Sequence, residues 1–218
     1  MQRGYLINGA NLNTESAQWL SKHKKIMLYS VGASLIALLF LCNSLSYTSI
    51  AIMVGAEAIS TFYYLPPFNL RKHGYIKPLI IAAIWSISCA AVPLIENQLL
   101  TPDRTLFLVS QFCFITVLCI LFDIKDMTDD FLNGINTYAN KLGVSGTKWV
   151  CALFIVVSGI CFYLSIQNPK ALIGELIVLA VTAITVLITT EKKHRFYYYL
   201  WVDGLMASQA IVFYILLL

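Results

Sequence analysis

Residues 105–122 read TLFLVSQFCFITVLCILF, 18 positions without a single charge. A bilayer core of about 30 Å takes roughly 20 apolar residues in a helix, and an uncharged run of 18 or more qualifies as a span. The run is continuously apolar rather than alternating with period two, which selects a helix over a barrel strand. Six further stretches read the same way: 26–45, 47–65, 78–95, 149–166, 171–190 and 196–218. Seven spans are therefore expected, four of them free of charge.

Composition agrees. The 218 residues are 59% apolar and 12% charged, against about 45–50% and about 25% in a soluble domain. Mean hydropathy is +0.75. An ordinary soluble enzyme, a disordered chain and a disulfide scaffold are all excluded. What fits is an all-α, polytopic transmembrane helical bundle, residues 1–218 forming one domain. Residues 1–25 are polar and hold no apolar core of signal-peptide length. No cleavable signal is expected, and the first span directs insertion. The six cysteines lie inside apolar runs without any CxxC, and read as small, soft hydrophobes. The +4 net charge is too modest to suggest nucleic acid.

The distribution of that charge sets an orientation. With the N-terminus in the cytoplasm, the inner segments collect Arg3, Lys22, Lys24 and Lys25; Arg71, Lys72 and Lys77; Lys125, Lys141 and Lys148; and Lys192, Lys193 and Arg195. That is 13 of the 15 basic residues, with only Arg104 and Lys170 outside. Inner loops carry the excess of Lys and Arg, so the C-terminus is expected outside. Trp19, Tyr63, Tyr64, Trp149 and Tyr197 to Tyr199 suit interfacial anchoring.

The longest polar connection, 123–148, follows the 105–122 span on the cytoplasmic side. Asp123, Asp126 and Asp130 fall at about 0°, 300° and 340° on a helix of 100° per residue, so their carboxylates share one face, while Asp129 points elsewhere. Like charges at these spacings repel, and they meet the negative end of the preceding helix dipole. A divalent cation reverses both penalties. Mg²⁺ binds one or two carboxylates and fills its other positions with waters and substrate phosphates, so the cluster points to capture of a diphosphate through Mg²⁺. The plainer alternative is a solvated loop in which Thr128 or Asp129 caps a short helix from Phe131.

Here the residues resemble a family. D-x-x-D-x-x-x-D, followed by Gly134-Ile-Asn-Thr137 and Lys141-Leu-Gly143, looks like the second aspartate motif of the UbiA-type intramembrane prenyltransferases. The stretch Tyr64-Leu-Pro-Pro-Phe-Asn-Leu-Arg71-Lys72, then Lys77 and Trp85, is similar to the basic loop after the family's fourth helix. The resemblance implies a nine-span bundle around a cavity open to the cytoplasm and to lipid. It also implies transfer of a polyprenyl group from its diphosphate to an aromatic or other lipophilic acceptor, with Mg²⁺ as cofactor. By that likeness Asp123, Asp126 and Asp130 are the catalytic, metal-holding set. Arg71, Lys72, Tyr64 and Lys77 bind the substrate. The seven spans match the family's third to ninth, with both loops inside, as the charge count also requires.

The family's first motif, N-D-x-x-D-x-x-x-D, should stand just before the first span. That place holds Asn8-Gly-Ala-Asn11-Leu-Asn13-Thr-Glu15, with one acid, and there is no aspartate before Asp103. The chain is thus expected to be N-terminally incomplete relative to the family, or a divergent member. With one metal cluster in place of two, support for the departing charge falls.

Glu57, Glu175 and Asp203 lie inside spans, where an ionised carboxylate is a functional candidate by default. Glu57 and Asp203 sit about 10–12 Å in from the cytoplasmic face at 1.5 Å per residue, deep enough to line one cavity as a pocket or acceptor base. Protonation or hydrogen bonding to neighbouring helices is the plainer alternative, more so for Glu175 near the outer boundary. His23, His73 and His194 stand among basic residues, as headgroup-facing positions do. Phe112, Phe114, Phe122, Phe162 and Tyr163 are candidate walls of a prenyl channel, or simply helix packing. Three functions stay open: a prenyltransferase; a catalytically silent homologue that binds prenyl lipid or a membrane partner; and a transporter using Glu57 and Asp203, for which no repeat or paired broken helices are visible.

Overall fold

The computed structural model describes residues 22–65, 70–166 and 168–217, without the side chains of Leu39, Leu41, Tyr64 and Leu217. Residues 1–21 and 66–69 lie outside it, and with them Arg3, Glu15, Trp19 and the middle of the basic loop. The described residues are all-helical, with no strand among them. The chain falls into two units, Met1–Ser46 and Tyr47–Leu218. The first contains α1, Lys24–Cys42. The second holds α2 (Tyr47–Tyr64), α3 (Lys77–Glu96), α4 (Pro102–Lys125), α5 (Met127–Leu132), α6 (Tyr138–Ser165), α7 (Pro169–Ile188) and α8 (Tyr197–Leu216).

Five of these, α3, α4, α6, α7 and α8, are long and apolar enough to cross a bilayer by length and composition, which points to a membrane protein. Each overlaps an expected span. The expected spans 26–45 and 47–65 form α1 and α2, which are helical but not among the five. In α2, Glu57, four Ser or Thr residues and three Tyr dilute the apolar run.

Proline sets several of the starts. Pro78, Pro102 and Pro169 stand in the first turn of α3, α4 and α7, where a missing N–H costs nothing. Asn168 caps α7, its side chain accepting from the backbone N–H of Lys170 at 2.9 Å and of Ala171 at 3.3 Å. α6 begins at Tyr138, eleven residues before the expected 149, capped by Thr137, whose hydroxyl accepts from Asn140 N–H at 3.3 Å. Gly143, at φ 67°, breaks that helix into a short entry turn and a long span. Inside α3, residues Ile87–Ala91 widen into a π-helical turn. Pro93 explains it: the ring offers no N–H to the Cys89 carbonyl and crowds it, and a wider turn absorbs the mismatch.

The central helix is α4, with twelve of its residues buried. It joins α6 through Ser110 and Ser158, whose hydroxyls lie 3.1 Å apart while Ser158 also donates to the Ser110 carbonyl at 3.0 Å. Small hydroxyl residues at such seams let helices approach closely. The outer faces are apolar: Trp149, Leu187, Leu200 and Phe196 are each at least 70% exposed. Apolar residues outside and serines inside are what lipid as the surrounding solvent selects.

Candidate functional site

Consecutive antiparallel spans bring five helix ends together: the starts of α3, α6 and α8 and the ends of α4 and α7. There α4 stops. Asp126 has left helical geometry (φ −92°, ψ 9°) and leads into the six-residue α5. The three aspartates therefore do not share one continuous helix, and the spacing argument applies to only part of the set. Asp123 (1% exposed) and Asp130 (3%) are buried, whereas Asp126 is half-buried.

What gathers Asp123 and Asp130 is a lysine. Lys77 Nζ lies 2.8 Å from Asp123 Oδ1 and 2.9 Å from Asp130 Oδ2. Asp126 pairs instead with its neighbour Lys125, at 2.8 Å. Lys125 also donates to Tyr199 Oη at 3.3 Å and lies over the Phe122 and Tyr199 rings, so the end of α4 is tied to the start of α8. Within this cluster one buried oxygen, Asp123 Oδ2, has no partner.

Gly74 sets the approach of Lys77. A Cβ built on it would run into the backbone of Asn136 and Thr137, so the segment before α3 can lie against the turn before α6 only with glycine there. Two motif residues shape that turn: Gly134 (φ 69°) closes α5 and Thr137 caps α6. The side chain of Asn140 reinforces it, donating to the Ile135 carbonyl at 3.0 Å.

A cavity of about 350 Å³ opens beside this cluster. Arg71, Lys77, Asp123, Asp126 and Asp203 line its charged part, and Trp85, Phe122 and Met206 line the apolar remainder. Among the described residues Arg71 has no ion-pair partner. Asp203 follows a second π-helical turn, Tyr197–Val202, held to the end of α7 by Tyr198 Oη donating to the Thr190 carbonyl (2.9 Å) and Trp201 Nε1 donating to Thr185 Oγ1 (3.0 Å). Such turns recur at functional sites because they redirect side chains.

Of the residues singled out by sequence, the cavity thus unites Arg71, Lys77, Asp123, Asp126 and Asp203. Asp130 stands behind Lys77 and is not in the lining. Lys72 is exposed and also outside it. Glu57 is exposed on α2 and does not join Asp203 there. Tyr64 ends α2, its side chain lying outside the described part. Among the described residues no three of His, Cys, Asp and Glu are grouped closely enough to hold a metal.

A second cavity, of about 550 Å³, shares Trp85, Ile115 and Met206 with the first and runs toward the other end of the helices. Gln111 and Gln209 are part of its lining. Sequence reading passes over both, although a buried amide inside an apolar span is the same kind of signal as Asp203. No family model, no curated protein and no solved structure matches this chain.

Proposed function

We propose that this protein is a UbiA-like membrane prenyltransferase homologue of seven spans, in which α1 and α2 accompany the five longer helices. It moves a polyprenyl group from its diphosphate to a lipophilic acceptor. The observation that carries the reading is the first cavity: carboxylates and a free guanidinium at one end, an apolar wall continuing from them. A prenyl diphosphate is charged and apolar in that same order.

Mg²⁺ belongs to this reading. It needs only one or two carboxylates when phosphates and waters complete its sphere, and Asp123, through its unpartnered Oδ2, and Asp126 are the residues that would hold it. Two cations and three carboxylates line the cavity, a surplus of negative charge that suits a divalent ion. When bound, it would draw charge from the departing diphosphate. Arg71 meets phosphate oxygens, and Lys77, anchored on Asp123 and Asp130, keeps its remaining N–H for the same anion. In the transfer the C1–O bond of the prenyl diphosphate breaks, and its electron pair leaves with the diphosphate. An electron pair of the acceptor forms the new bond to C1, and the acceptor releases a proton, for which Asp203 is the base in the cavity. Trp85 and Phe122 keep water from the electron-poor carbon.

The test is binding of radiolabelled farnesyl diphosphate to the purified full chain in detergent. Asp126→Ala should abolish the Mg²⁺-dependent part, and Arg71→Ala should weaken binding about tenfold, the value of one charge-assisted hydrogen bond. Unchanged binding by Asp126→Ala would falsify the proposal.

A second reading, a silent homologue that holds prenyl lipid without transferring it, is favoured by one observation. Lys77 already occupies one oxygen on each of Asp123 and Asp130, two of the three aspartates that the family likeness assigns to metal. Any prenylated acceptor formed by the purified chain rules it out.

A further inference from the structure

The second cavity has a chemistry of its own. Gln111 on α4 and Gln209 on α8 are each 8% exposed, and both line it. Gln209 donates from Nε2 to Glu175 Oε2 at 3.1 Å. The amide nitrogen faces Glu175 as the donor, and the Gln209 carbonyl oxygen is left without a partner. Gln111 has no side-chain hydrogen bond to any described residue, so a donor and an acceptor are both idle on it. Buried amides without partners are rare because their desolvation is uncompensated. Here Gln111 has no side-chain partner and Gln209 has one only for its nitrogen, and both line the same cavity, so a polar group entering it meets an open donor and open acceptors.

The remaining lining states what the rest of the ligand must be. Trp85, Phe107, Phe114 and Phe213 supply aromatic faces, and among the described residues no charged side chain lines this cavity. Phosphate and carboxylate ligands have no counter-ion there. A cavity of about 550 Å³ is within the size range of small-molecule sites. The π-helical turn of α3 borders it, Ser86, Cys89 and Ala90 being part of its wall. A plain hydrocarbon tail would fill the space and leave the Gln111 amide and the Gln209 carbonyl unpaired. A hydroxyl is donor and acceptor at once, and so serves the carbonyl of Gln209 and the amide of Gln111.

We propose that this cavity is a binding site for a neutral, membrane-soluble alcohol, its hydroxyl held by Gln111 and Gln209 and its apolar body held by the aromatic wall. The inference stands apart from the diphosphate reading. Gln111 lies twelve residues before Asp123, about 18 Å along the helix at 1.5 Å per residue, so either can fail without the other.

The experiment uses the full chain in lipid nanodiscs and two photoactivatable probes, a diazirine-bearing long-chain alcohol and the matching hydrocarbon without the hydroxyl. Cross-linked peptides are mapped by mass spectrometry. The alcohol should label α4 and α8 around Gln111 and Gln209, and unlabelled alcohol should compete. Gln111→Met should lower that labelling about five- to tenfold, as expected for loss of hydrogen bonding to one neutral group. The hydrocarbon should label weakly and be indifferent to the substitution. Equal labelling by both probes, or alcohol labelling that survives Gln111→Met and Gln209→Met, overturns the proposal and makes the cavity a general lipid slot. Thermal melting closes the remaining gap. Ligand-free Gln111→Met should melt at or above the wild-type temperature, because it removes an idle buried amide. Melting below it, or failure to fold, means the amide is satisfied in the free protein and also overturns the proposal.

Discussion

Lys77 holds Asp123 and Asp130 in a pocket where the lysine side chain is 12% exposed and the carboxylates 1% and 5%. Removing one member of a buried ion pair leaves charge without compensation, which costs about 3–5 kcal/mol, more than the intact pair contributes over a neutral isostere. Lys77→Met strands two carboxylates and should destabilise by at least about 3 kcal/mol, read as thermal or chemical unfolding of the purified chain. Adding Asp123→Asn and Asp130→Asn to Lys77→Met should restore most of the loss. If the triple variant is no more stable than Lys77→Met, the lysine acts through packing and not charge. The same substitution bears on the metal. With the ammonium gone, Asp123 and Asp130 face each other unneutralised, and Mg²⁺ should raise the melting temperature of Lys77→Met more than that of the wild type. Equal shifts would mean that Lys77 does not compete with a cation for these oxygens.

At the scale of elements, the ion pairs depend on how closely the segment before α3 lies against the turn before α6. Gly74→Ala places a methyl against the Asn136 backbone, and a backbone cannot give way as a flexible side chain does. Overpacking of this kind costs about 1–3 kcal/mol. Gly134→Ala meets open space but must hold φ 69°, a strain of about 1–2 kcal/mol for a residue with a Cβ. Gly74→Ala should therefore lose diphosphate binding as well as stability, because it moves Lys77, while Gly134→Ala should lose stability first. Matching effects of both on binding would remove the special role of Gly74. These elements also show what sequence carries and what it does not. The positions of α3, α4, α6, α7 and α8 were legible because an apolar run of bilayer length with at most one charge has few other uses. The splitting of the aspartate set was not. The 100° spacing assumes a continuous helix, and α4 ends at Asp126. Nor does spacing along one chain segment report that Lys77, remote in sequence, sits between Asp123 and Asp130. The bulge in α3 had a visible cause in Pro93; the one in α8 had none.

At the scale of the whole molecule, the Tyr47–Leu218 unit is polarised end to end. Asp123, Asp126, Lys77 and Arg71 gather at one end of the helices with the basic 192–195 segment, and the Glu175–Gln209 pair lies in the other half. On the lysine and arginine excess we propose that the first end faces the cytoplasm. Function depends on that assignment, since a diphosphate crosses a bilayer poorly and must enter from the side on which it is made. An alcohol of the kind inferred for the second cavity dissolves in the membrane and has no such restriction. The orientation is tested by cysteine accessibility after replacement of the six native cysteines, all of them free thiols. Lys193→Cys stands near the charged end and Leu100→Cys in the connection between α3 and α4, both at exposed positions. A membrane-impermeant maleimide should label Leu100→Cys in intact cells and Lys193→Cys only after the cells are opened. The opposite pattern would put Arg71 and the aspartates outside the cell, where the charged mouth of the cavity could not draw on a cytoplasmic diphosphate. The prenyl-transfer reading would then fail on access alone, whatever the cavity binds in detergent.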